Sequence, residues 1–137
     1  MSKYAVCNRK GFAIDKKDKT NQDTFVSIEN FMMKDRYLFG VCDGHGVNGH
    51  FVSEFVKEIL PENIEYCLIK NKALKKSTKN VVENSLRESF IKTSKELEDS
   101  GIDINFSGTT TCILYLHEHR LFCANLGDSR AVMFSRN

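Results

Sequence analysis

The sequence predicts a layered α+β domain rather than a repeating β-α unit. Three observations carry that prediction. Short apolar, strand-like runs occupy the first third of the chain, helical periodicity the middle, and strand-like runs return at the end. The 137 residues show no internal repeat or low-complexity linker, so one domain with a sizeable core fits them. Pro61 is the sole proline, and the hairpin-like spacing of the last two strand runs fits a layered sheet.

In order, Lys3 to Cys7 alternates weakly and suits a first strand, and Asp15 to Asn21 is polar and suits a loop. Thr24 to Ile28 and Tyr37 to Cys42 read as the next two strands, joined through Asn30 to Arg36. Phe51, Phe55, Val56 and Ile59 then recur at helical spacing, predicting a helix from about Gly49 until Pro61. A short second helix is expected near Asn63 to Asn71. A longer one follows at about Thr78 to Glu98, with a stripe of Val82, Leu86, Phe90 (or Ser89), Thr93 and Leu97. Asn80 and Glu83 resemble a capping pair, and Gly101 is placed to stop the helix. Thr109 to Leu116 and Arg120 to Leu126 form a hairpin about the polar turn His117-Glu118-His119, and Arg130 to Phe134 is a further strand.

Composition narrows the function classes. A net charge of +2 makes no case for nucleic acid as a partner. The one dense basic cluster (Lys70, Lys72, Lys75, Lys76 and Lys79) lacks interleaved aromatics and suits a solvated surface. No apolar run reaches membrane-spanning length, Met1 to Lys10 has no apolar signal region, and Ser2 does not fit a myristoylation pattern, so no membrane role is expected. Five cysteines without CxxC or Cys/His ligand spacing suit reduced thiols, four of them among apolar neighbours, and hence an intracellular protein.

The chemistry concentrates at Val41-Cys42-Asp43-Gly44-His45-Gly46-Val47-Asn48. An apolar strand ends there in an acid and a histidine flanked by glycines. A carboxylate at a rigid strand end projects into solvent or a cleft, and glycine lets a ligand approach the backbone. Hard cations such as Mg2+ and Mn2+ take oxygen ligands, which Asp43 and the Gly44 carbonyl can offer, while His45 can supply a proton. The bland alternative is an ordinary Asp-Gly turn with a loop histidine. Two further acids repeat the design: Asp23 stands just before a strand and Asp128 follows one. Should the three ends converge, their carboxylates repel, and divalent ions would resolve the repulsion and acidify a bound water. His117 and His119, two apart on a tight turn, are read as solvent-exposed rather than as ligands, and His50 as structural support for the Asp43 loop.

Four segments in order resemble the metal-dependent protein serine/threonine phosphatases (type 2C, or PPM). They are Lys19-Thr20-Asn21-Gln22-Asp23, Val41 to Gly46, Ser107-Gly108-Thr109-Thr110-Thr111, and Ala124 to Ala131. The resemblance implies the amino-terminal part of a four-layer α-β-β-α sandwich that hydrolyses phosphoserine and phosphothreonine in phosphoprotein substrates. It implies two catalytic Mg2+ or Mn2+ ions, with a weaker third. Asp43 matches the acid bridging the two metals, the Gly44 carbonyl a ligand of one, and Asp23 an acid of the metal-water network. Asp128 matches the acid of the third site and His45 the general acid to the leaving oxygen. Ser107 to Thr111 and Ser129 to Ala131 match segments that shape the sheets. Relatives carry an arginine that grips the substrate phosphate; here Lys16, Lys17 or Lys19 must serve, as a point charge rather than a fork. Two more metal-binding aspartates of the family have no counterpart among residues 1–137. The resemblance therefore implies a partial domain of little activity alone, with uncovered apolar strand faces prone to self-association or completed by another chain. A non-catalytic, phosphatase-like binding module is the alternative.

Overall fold

The computed structural model describes residues 4–12, 19–74 and 78–135. The elements are β1 (Asp23–Glu29), β2 (Arg36–His45), α1 (Gly49–Lys70), α2 (Lys79–Glu98), β3 (Gly108–Thr109), β4 (Thr111–His117) and β5 (Arg120–Leu126). All pairings are antiparallel, in the order β1-β2-β4-β5, with the short β3 beside the end of β2. Both helices pack together, and α1 lies on β1 and β2. The expected α+β class is what the chain adopts: one sheet with one helical layer.

Alternation decides which residues face the helices. Val26, Leu38, Cys42, Ile113, Tyr115 and Phe122 are buried on that face, against Val56, Leu60, Ile64 and Leu68 of α1 and Val82 and Leu86 of α2. The opposite parity places Phe25, Val41, Leu121 and Cys123 on the other face, where they are exposed. Tyr4 packs its ring on Phe39 there, with centroids 4.9 Å apart.

Several expectations change. One helix runs through Pro61 instead of breaking there. An interior proline costs about 3 kcal/mol, but Leu60, Ile64 and Leu68 are each about fully buried. Burial of one such side chain is worth roughly 1.5–3 kcal/mol, so continuing the stripe outweighs the lost hydrogen bond. β2 likewise extends through Asp43 and Gly44 to His45, turning only at Gly46 (φ +82). Tyr4 to Cys7 forms no strand: its side chains are exposed, and a ring contact stands where a ladder was expected (Lys3 lies outside the described residues). Arg130 to Phe134 forms none either, because no described element covers Val132, Met133 or Phe134.

The expected capping pair is absent. Thr78 is the N-cap of α2, without a side-chain cap bond, and Glu83 pairs with Lys79 at 3.7 Å. Gly101 does take a left-handed φ of +79 just beyond the helix. In the predicted stripe Val82, Leu86 and Thr93 are buried, and Ser89 is buried where Phe90 is half-buried. The hairpin turn is Glu118-His119, with Glu118 at φ +56, so His117 belongs to β4 and is buried rather than exposed. Cys42, Cys67 and Cys112 are buried free thiols, while Cys7 and Cys123 are exposed. No helix of the described residues is long and apolar enough to cross a membrane.

Candidate metal centre

The register of β1 on β2 pairs Asp23 directly with Asp43. Both share the parity of Phe25 and Val41, so the two carboxylates meet on the sheet face turned away from the helices. Like charges held this close oppose ionisation. The Asp23 carboxyl is held above its ordinary value, first by partial desolvation and then by repulsion from, and hydrogen bonding with, Asp43. The Lys19 ammonium pulls the other way, which puts its charge within reach of the pair.

Backbone hydrogen bonds fix the pair. The Gln22 carbonyl accepts from the Gly44 N–H (3.1 Å) and from the buried Ser53 hydroxyl (2.6 Å), tying the start of β1, the end of β2 and α1 together. The Gln22 side chain donates Nε2–H to the Gly46 carbonyl at 2.9 Å. Gly44 is buried in this knot; a Cβ there would lie 2.3 Å from the Gly49 carbonyl oxygen and 2.7 Å from that of Gln22. Thr110 grips Asp43 from the other side: its N–H donates to the Asp43 carbonyl (2.9 Å) and its Oγ1 accepts the Asp43 N–H (3.1 Å). Asn8 donates Nδ2–H to the Asp23 carbonyl at 2.9 Å.

His45 ends β2 opposite Gly108, with its side chain exposed. A Cβ on Gly108 would sit 2.8 Å from the His45 Nε2, so the glycine provides the space in which the imidazole rests. Cys42 is the strand-packing residue expected: it faces the core, contacts Thr111 Oγ1 at 3.7 Å, and burial pushes its thiol pKa up. The His50 ring packs on Phe51, with centroids 4.0 Å apart, and its buried Nδ1 makes no hydrogen bond among the described residues, so it does not tie down the Asp43 loop by one.

The structure thus brings Asp23, Asp43, Gly44, His45 and Lys19 to one sheet end, but it does not gather Asp128 with the other acids. Among the described residues no three His, Cys, Asp or Glu side chains stand close enough to hold one ion. The strand order explains this: β4 separates β5 from β2, and two strand spacings are roughly 10 Å. Asp128 is nevertheless linked to the centre, because its neighbour Ser129 shares a 2.5 Å hydroxyl contact with Thr110. Lys16 and Lys17 lie outside the described residues. Two adjacent, exposed carboxylates with a nearby peptide carbonyl suit a hard divalent cation as part of its coordination shell, the rest being water or other donors.

Sequence reading missed the residues that hold this centre. Ser53 lies within a helix pattern and gives no signal of its contact with Gln22. Thr110 sits among four hydroxyl and glycine residues of a strand start, and only the β2–β4 register reveals its grip on Asp43.

Comparison with known proteins agrees with the fold. Residues 8–137 match the family model of Protein phosphatase 2C. The chain is 37% identical over 131 residues to probable protein phosphatase 2C 35 of Arabidopsis thaliana, covering 95% of this chain and 35% of that relative. It is 33% identical over 156 residues to probable protein phosphatase 2C 75 of Oryza sativa subsp. japonica, covering 88% and 36%. A solved C. elegans sex-determining protein shares the fold over 74% of this chain and 24% of its own, at 18% identity and a TM-score of 0.56. The chain spans about a third of the length of the curated relatives it matches. By the match over nearly its whole length, the chain belongs to the protein phosphatase 2C family.

Proposed function

We propose that this protein hydrolyses phosphoserine and phosphothreonine in phosphoproteins, in an intracellular setting, with Mg2+ or Mn2+ as the resident ions. The observation that carries this reading is the pairing of Asp23 with Asp43 at the end of two adjacent strands. A repelling carboxylate pair is unfavourable alone and favourable around a cation. Asp23, Asp43 and the Gly44 carbonyl would hold the catalytic ions, and Asp128 a weaker third. Bound, those ions would supply positive charge against the phosphoryl oxygens and acidify water.

The chain's own residues do the remaining work. Lys19 attracts the substrate phosphate as a point charge, weaker in orientation than an arginine fork. His45, exposed at the strand end, donates a proton to the departing serine or threonine oxygen. Thr110, Gln22 and Ser53 hold the main chain that carries the two carboxylates, so little backbone reorganisation is needed as charge shifts.

A second reading, a phosphatase-like module that binds phosphoproteins without turnover, draws on the lack of a third acid beside Asp23 and Asp43 among the described residues. Residues 1–137 alone are then weakly active or inactive, and self-association or a completing chain would supply the donors. Hydrolysis of a phosphothreonine peptide in millimolar Mn2+, beside Asp43→Asn, separates the readings. Metal-dependent turnover lost in the variant supports the phosphatase; binding without turnover supports the module.

A further inference from the structure

Two apolar residues on the loops that meet just beyond His45 have almost no cover. Phe106 is 88% exposed and Val47 82% exposed. Single exposed hydrophobics need no explanation, and Phe12 and Phe134 are comparably bare. What distinguishes Val47 and Phe106 is that their backbones are pinned to each other and to the candidate centre. The Phe106 carbonyl oxygen would lie 1.9 Å from a Cβ on Gly46, so the two loops touch between His45 and Val47. Asn48 donates its N–H to Ser107 Oγ at 2.9 Å and its Nδ2–H to the Asp103 carbonyl at 2.9 Å. Gly108, two residues beyond Phe106, pairs with His45. The loop is therefore fixed, and the apolar pair is held in water at the edge of the centre.

Fixed, exposed apolar surface next to a polar centre is what a binding site presents before its ligand arrives, because little ordering entropy remains to be lost on contact. The ligand is set by the proposed function: a phosphorylated residue drawn by Lys19 and by the ions that Asp23 and Asp43 would hold, its flanking residues lying near the strand end that carries His45. We infer that Val47 and Phe106 form an apolar lip that selects peptide substrates with an apolar side chain immediately beside the phosphorylated residue. The inference rests on the phosphatase reading and adds a substrate class to it. Ser or Asp at the flanking position would leave the lip wet or would itself be desolvated, so both are disfavoured.

The test uses non-hydrolysable phosphonate analogues of phosphothreonine peptides, identical except for Leu, Ser or Asp on either side of the phosphorylated residue. Binding to the chain in millimolar Mn2+ is read by fluorescence anisotropy, which needs no turnover. A contact of this size discriminates by about tenfold or more, so Leu-flanked peptide should bind about tenfold tighter than Ser-flanked. Phe106→Ser, with Val47→Ser as a second variant, should reduce that preference to about twofold or less. Equal affinity for all flanks, or a preference that survives both variants in folded protein, overturns the lip and leaves the phosphatase reading standing. Failure to bind any phosphonate peptide overturns both together.

Discussion

Gly46 and Gly101 both adopt left-handed backbone, at φ +82 and +79, yet their surroundings differ completely. An alanine Cβ at position 46 would lie 1.9 Å from the Phe106 carbonyl oxygen and 2.8 Å from Ser107 Cα; at position 101 nothing lies within 4 Å. Both alanine variants incur the left-handed penalty of roughly 1–2 kcal/mol. Gly46→Ala must also push the 101–107 backbone away by more than about 1 Å, an overpacking that costs typically 1–3 kcal/mol. At roughly 3–5 °C per kcal/mol for a chain of this size, Gly46→Ala should melt about 3–15 °C below Gly101→Ala. Thermal unfolding followed by far-UV circular dichroism measures the difference, and a urea series checks it. The shift should come with loss of the Asn48–Ser107 bond, so a phosphonate peptide should also bind Gly46→Ala more weakly. Melting temperatures within a degree or two of each other would refute the claimed contact between the two loops, and with it the fixed lip.

Other outcomes follow from the same contacts. Thr110→Val keeps the side-chain shape but removes the acceptor of the Asp43 N–H and the partner of Ser129; urea unfolding should show a loss of about 1–2 kcal/mol. Ser53→Ala removes the buried hydroxyl that donates to Gln22 and should cost about 1 kcal/mol by the same measurement. His117 is held below its ordinary imidazole value by burial, then by Arg36 and Arg120, against an opposing pull from Glu118. Below about pH 6.5 the unfolded chain therefore takes up a proton that the folded chain resists. Acidifying from about pH 7.5 to about pH 5.5 should lower the melting temperature of the wild type more than that of His117→Phe. In chelator, Asp43→Asn should raise the melting temperature slightly, because it relieves Asp23; the pair is exposed and screened, so the gain is a few tenths of a kcal/mol.

Local patterns made most of the sheet legible. Thr24 to Ile28, Tyr37 to Cys42 and the two hairpin strands are short apolar runs bounded by polar turns, and α2 carries a helical stripe. The misses share one cause, which is that neighbours in space overrule neighbours in sequence. Pro61 signals a break, yet the sheet beneath α1 rewards Leu60, Ile64 and Leu68 for staying in line. His117 belongs to a polar triplet, yet the turn needs only Glu118 and His119, and the first histidine falls to the buried face. Arg130 to Phe134 has strand-like composition but no described strand beside it. At the centre, a carboxylate at a strand end is visible in sequence three times, whereas register and strand order are not. Adjacent strands bring Asp23 to Asp43; an intervening β4 keeps Asp128 apart.

Whether Asp23 and Asp43 together hold a divalent ion is decided by titrating Mn2+ into the chain and measuring free Mn2+ by electron paramagnetic resonance, beside Asp23→Asn and Asp43→Asn. Saturable binding by the wild type, with each single variant weakened by tenfold or more, is the predicted result, since a hard cation loses an anionic ligand in either variant. Binding unchanged in both variants, or no saturable binding by the folded wild type, would contradict a metal centre built on this pair.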